Sequence, residues 1–129
     1  MDSRHLLELL ADNPVIAAVK DDQGLESALA GSVDVIFLLY GNILNLSELV
    51  DRVRAAGKAA FVHLDLADGL TNREIAADFV ARRTAAAGII STRSPLVKRG
   101  RELGLVAVQR FFLLDSMALE NIEKDLARD

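Results

Sequence analysis

The chain has 129 residues, 51% of them hydrophobic and 26% charged, with a formal net charge of -4 and no cysteine. That balance excludes a disordered chain, and it excludes a protein that coats nucleic acid nonspecifically, a task that rests on Lys and Arg neutralising phosphates. No disulfide frame or thiolate metal site is open to it, no apolar run reaches the roughly 18 to 20 residues of a membrane span, and the N-terminus does not read as an export signal; a single cytoplasmic domain over 1–129 is expected.

Short apolar runs rich in Val, Ile and Phe alternate with longer stretches of helical spacing. A short helix over 3–11 opens the chain, Asn13-Pro14 breaks it, and 15–19 reads as the first strand. A helix over 25–30 is closed by Gly31, and 35–39 is the second strand, continuously apolar as a strand covered on both faces should be. Leu46, Leu49, Val50 and Val53 form the next helical stripe, Gly57 ends it, and 59–64 is the third strand. Thr71 and Glu74 have the spacing of a capping box, opening a helix whose apolar face includes Ile75, Phe79 and Val80. The fourth strand is 88–91. Ser94 suits an N-cap, Pro95 the first turn and Gly104 the stop of a helix over 96–103; 105–108 is the fifth strand, and a last helix starts near Asp115 or Ser116.

Strands separated by helices require parallel pairing with right-handed crossovers. The fold class is α/β, either a partial (βα) barrel of about five parallel strand-helix units or a flavodoxin-like open five-stranded parallel sheet. Length favours the open sheet, since a complete barrel usually takes about 250 residues.

In either architecture function collects where strands end and helices begin. The two-residue period puts His63 and Asp65 on one face at the end of the third strand, as an acid/base pair, as a pocket wall reading hydroxyls, or as a loop-bonding carboxylate that orients the ring. The fourth strand runs into Ser91-Thr92-Arg93-Ser94-Pro95, where free amides, two hydroxyls and a guanidinium make a plausible anion site; Ser94 and Pro95 are read as caps only. Lys20 follows the first strand, and Gln109 and Arg110 end the fifth. A rim of Lys20, Arg93 and Arg110 beside Asp65 suits a small ligand with phosphate and hydroxyl groups. No metal is assigned, because His63 and His5 are the only histidines and lie in different elements. Lys98, Arg99 and Arg101, with Arg82 and Arg83, form the densest basic cluster and the footprint on offer to RNA, unless Lys98 pairs with Glu102 and the cluster is a solvated face. Phe111-Phe112-Leu113-Leu114 is read as core.

Three segments, FVHLDLADG at 61–69, AGIISTRS at 87–94 and AVQRFFLLD at 107–115, resemble the glycerol-3-phosphate responsive antiterminator family, with a weaker likeness at 13–20. The resemblance implies a (βα) barrel that senses glycerol-3-phosphate and binds leader mRNA to prevent transcription termination, with no catalytic activity and no cofactor beyond that effector. It places Asp65, Arg93, Gln109 and Arg110 at the ligand end, with Lys20 where the family also carries a basic residue. The family continues through about three further units, and the phosphate in barrels of this kind commonly sits on the loops after strands seven and eight. A shortened barrel is expected to leave strand edges and apolar inner surface uncovered, and so to form a homo-oligomer. Two other readings stand beside this one. A receiver-like domain is suggested by Asp21, Asp22 and Asp65, although Gln109-Arg110 stands where a receiver needs lysine; a barrel enzyme on a small phosphorylated substrate would use His63 and Asp65.

Overall fold

The computed structural model describes residues 15–110; the expected helices over 3–11 and from 115 or 116, and the run 111–114, lie outside them. The alternation read from the sequence is realised as β1 (Ile16–Val19), α1 (Asp22–Ala30), β2 (Val35–Leu38), α2 (Leu46–Ala55), β3 (Ala59–His63), α3 (Ile75–Arg83), β4 (Gly88–Ser91), α4 (Ser94–Glu102) and β5 (Val106–Gln109). Gly57 and Gly104, after α2 and α4, take the positive φ values of 78° and 85° that a side chain resists, which is why those two helices stop there.

All five strands are parallel, in the order β1-β2-β3-β4-β5. The buried side chains of the four helices (Leu25 of α1, Leu49 and Val53 of α2, Ala77 and Val80 of α3, Leu96 and Val97 of α4) join one cluster with Ile36, Leu38, Ala60, Val62, Ile89 and Ala107, so the helices cover a single face. A flavodoxin-like sheet reverses its strand order and carries helices on both faces. Consecutive order with one-sided helices is instead the arrangement of a barrel arc, open between β1 and β5 among the described residues. The sheet is thus open, as length favours, but singly rather than doubly wound.

The opposite, inner face gathers Val35, Ala59, Phe61, Ile90, Val106 and Val108, with Ile16 and Phe37 packed against them. Phe37 and Phe61 meet with ring centroids 5.2 Å apart. Here an expectation is corrected: Val35, Phe61 and Val108 are each 0% exposed within the one chain, so the inner apolar surface of β2, β3 and β5 is not left uncovered. The expected association would rest on the edges of β1 and β5.

Two helix starts also differ from expectation. Thr71 Oγ1 accepts from the Arg73 amide at 3.2 Å, and Glu74 makes no capping bond; the helix begins at Ile75, which is 62% exposed because the buried stripe runs through Ala76, Ala77 and Val80. Ser94 is already the first residue of α4, Arg93 occupies the N-cap position without a side-chain cap, and Pro95 lies in the first turn.

Candidate functional site

Along β3 the inner positions are Ala59, Phe61 and His63, and along β5 they are Val106 and Val108, with Arg110 next in the same alternation. Both strands are apolar at their base and carry a polar group at their C-terminal end. The Arg110 amide continues the ladder by donating to the Ser91 carbonyl at 2.9 Å, which fixes the residue's backbone beside β4. Arg110 Nη1 then lies 3.3 Å from His63 Nε2. A guanidinium can only donate, so the imidazole is the acceptor. His63 is 2% exposed, and its Nδ1 is buried without a hydrogen-bond partner among the described residues. Burial holds the ring below the ordinary histidine pKa; the charge of Asp65 pulls the other way, the charge of Arg110 adds to the lowering, and the residue's own carbonyl opposes it weakly.

Asp65 does not hydrogen-bond to His63. Its Oδ1 accepts from Ser91 Oγ at 2.9 Å, and its Oδ2 from the Thr92 amide and the Thr92 hydroxyl, each at 2.7 Å. Burial would push this carboxyl up, but the bonds from Thr92 and Ser91 outweigh it, with His63 adding to them, so it stays below the ordinary carboxylate value. Ser91 Oγ in turn accepts from the Arg93 amide at 3.0 Å. The loops after β3 and β4 are therefore tied by one carboxylate.

The Arg93 and Lys20 side chains are exposed and make no hydrogen bond or ion pair among the described residues. Arg93 stands one strand from Arg110. Lys20 follows β1 at the other edge of the sheet, four strand spacings or about 19 Å along its surface. Gln109 Nε2 donates to Ser94 Oγ at 2.9 Å, tying β5 to α4.

Thr92 stands in the sequence as part of a candidate anion site, and its tie to Asp65 went unread, although two adjacent hydroxyls at the strand end were the available signal. Tyr40 was missed too. Its hydroxyl donates to Asp22 Oδ1 at 2.7 Å, and burial, that bond and the Asp22 charge push the phenol pKa up. Asp21 caps α1 by accepting from the Gly24 amide at 2.7 Å. All three carboxylates of the receiver-like reading, Asp21, Asp22 and Asp65, are thus engaged by groups of the chain itself. Among the described residues no cluster of three or more His, Asp or Glu could hold a metal, and no helix is long and apolar enough to cross a membrane.

The basic cluster divides. Arg99 clasps Asp78 with Nε and Nη2 at 3.2 and 2.8 Å, joining α4 to α3, and reaches Glu102 at 3.5 Å, so Glu102 is paired with Arg99 rather than Lys98. Arg82, Arg83, Lys98 and Arg101 are exposed. Lys98 and Arg101 line a cleft of about 550 Å³ with Glu74, Ser94, Pro95, Val97 and Gln109.

A singly wound parallel βα sheet whose strand ends carry cations, hydroxyls and a tied carboxylate defines an α/β protein of repeated strand-helix units. The family described as glycerol-3-phosphate responsive antiterminator matches residues 15–129, and the chain belongs to that family. It is 43% identical over 123 residues to the uncharacterized protein YgcP of Escherichia coli (strain K12), covering 95% of this chain and 64% of that protein. Among solved structures it is similar to the glycerol uptake operon antiterminator regulatory protein of Listeria monocytogenes (TM-score 0.75, 28% identity, 91% of this chain and 63% of that one). It is also similar to a glycerol uptake operon antiterminator-related protein of Thermotoga maritima (TM-score 0.69, 34% identity, 90% of this chain and 65% of that one). The chain therefore spans less than two-thirds of the length of each of these relatives.

Proposed function

We propose that this chain is a cytoplasmic antitermination regulator that binds leader mRNA in response to glycerol-3-phosphate. The observation that carries this reading is the grouping of Arg93 and Arg110 on neighbouring strand ends around the Asp65–Ser91–Thr92 network. A phosphate suits two guanidiniums, since planar donor pairs match its oxygens. Glycerol hydroxyls suit the Thr92 and Gln109 groups beside them, while Ser91, fully buried with its hydroxyl bonded to Asp65 and the Arg93 amide, holds the loop. Asp65 supports the site by holding the loops rather than by reading the ligand, because both its oxygens are already bonded. An acid/base role is less well supported: His63 is disfavoured from taking a proton and has no carboxylate bonded to it.

Heat-unfolding midpoints with glycerol-3-phosphate, glycerol and inorganic phosphate test the proposal, since a ligand that binds the folded state raises apparent stability. Glycerol-3-phosphate should protect most, and Arg93→Ala with Arg110→Ala should remove the protection. No shift in wild type at millimolar ligand would sink the reading. For RNA, the exposed Lys98 and Arg101 are the residues to reverse. Lys98→Glu with Arg101→Glu should weaken leader binding and flatten its dependence on salt by about one unit of log–log slope per lost phosphate contact; identical salt titrations would move the contact elsewhere.

A further inference from the structure

Every buried polar group needs a reason to be where it is, because an unpaired one weakens the fold. His63 sits at the top of the inner face above Phe61 and beside Ile90, almost wholly buried, with Nδ1 unpartnered. A phenylalanine would fill that space without the unpaired nitrogen. What the imidazole supplies that a phenyl ring cannot is a lone pair on Nε2, aimed at Arg110.

The neighbouring carboxylate makes the choice of acceptor informative. Asp65 is close enough to His63 for its charge to act on the ring, yet its two oxygens take three hydrogen bonds from Ser91 and Thr92, and it forms no ion pair with Arg110. A carboxylate holding Arg110 would orient the guanidinium and also neutralise it. A neutral imidazole orients it and leaves its charge for another anion. Long side chains lose freedom when they bind, so an arginine already held in place binds an anion more tightly than a free one.

We infer that His63 is a positioning residue whose neutral ring, protonated on Nδ1, holds the Arg110 guanidinium ready for an anionic group of the ligand. The tautomer follows from the geometry, since Nε2 accepts from Arg110 and the single ring proton must then sit on Nδ1. The charged groups facing the ring among the described residues are Asp65 and Arg110. The anion-binding part of the inference rests on the proposed effector reading; the tautomer does not.

Nitrogen-15 NMR of the full chain reads the tautomer directly, with His5→Gln assigning the two histidines. Protonation on Nδ1 near neutral pH is expected, and Arg110→Ala should raise the ring's pKa; a ring protonated on Nε2 overturns the inference. Binding of glycerol-3-phosphate and of inorganic phosphate supplies the second readout. His63→Phe should weaken both by about tenfold, the cost of immobilising one long side chain on binding, while His63→Gln, which keeps an acceptor near the Nε2 position, should stay within about twofold. With Arg110→Ala already present, His63→Phe should cost nothing more. Equal affinities of wild type and a folded His63→Phe overturn the positioning role. Absence of ligand binding by wild type with the expected tautomer would sink the effector reading and leave the His63–Arg110 contact standing.

Discussion

Ser91 and His63 are the polar residues buried among the described part of the chain, and they end the two faces of the sheet differently. Ser91 closes the helix-covered side of β4. Its hydroxyl donates to Asp65 and accepts from the Arg93 amide, so both of its roles are filled. His63 closes the inner side of β3 with one nitrogen engaged by an exposed arginine and the other unpaired. A satisfied buried hydroxyl is part of the scaffold, whereas a partly satisfied ring that leans on a surface cation points to binding. The contrast sets the scaffold apart from the groups proposed to bind, on adjacent strands at one end of the sheet.

Adding a methyl group to each face gives the largest expected effect. A Cβ at Gly88 would lie 2.4 Å from the Val106 carbonyl oxygen and 2.5 Å from the Phe61 ring, so backbone would have to move; Gly88→Ala should cost about 3 kcal/mol or more in urea unfolding. At Gly100, on the helix side, the contacts are with side chain rather than backbone, Ile89 Cδ1 at 2.4 Å and Cγ1 at 2.8 Å with Ala107 Cβ at 3.3 Å, and the helix preference of alanine offsets part of the crowding. Gly100→Ala should cost about 1 to 2 kcal/mol, less than Gly88→Ala. Equal losses would mean that the two faces are equally rigid.

The next effect separates the buried polar groups themselves. Ser91→Ala strands one Asp65 oxygen and the Arg93 amide and should destabilise by about 1 to 2 kcal/mol, while His63→Phe removes an unpaired group and should lie within about 0.5 kcal/mol of wild type. A large loss in His63→Phe would make the ring scaffold after all.

Acid gives the smallest and most graded test. The His63 pKa is lowered below 6.5 in the folded chain, so the unfolded chain takes up that proton first and stability falls as pH drops below 6.5. The Asp65 pKa is lowered below 3.8, so its contribution is present above that pH and is lost as pH falls further. Unfolding midpoints from pH 7 to 2 should decline in two stages; His63→Phe should remove the upper stage and Asp65→Asn should shrink the lower, to which Asp78 also contributes. One undivided decline, unchanged in both variants, would contradict the assignment.

The strands and helices were legible because each apolar run is bounded by glycine or by a polar turn, and most boundaries moved by only a residue or a turn. Side-chain partners across elements were less so. The two-residue period that aligned Asp65 with His63 holds only inside a strand; β3 ends at His63, and the following turn carries Asp65 toward β4 instead. Ser94 has the composition of a cap, but Gln109 on the neighbouring strand takes its hydroxyl. Arg99 looked like one more basic residue because its partner, Asp78, lies on the preceding helix, out of reach of any local spacing rule.

Strand order also bears on how such a chain reaches its fold. Among the described residues each strand pairs with its neighbours in sequence, so each ladder closes a single strand-helix-strand loop. Such closures keep contact order lower, and assembly faster, than pairings between strands distant in sequence would. A doubly wound sheet must reverse direction, seating a later strand against the first rather than against its predecessor. Here β2 can dock on β1 as soon as it is synthesised, and β3, β4 and β5 each find a finished edge waiting, so the sheet can grow in step with the ribosome and buries each helix as it arrives.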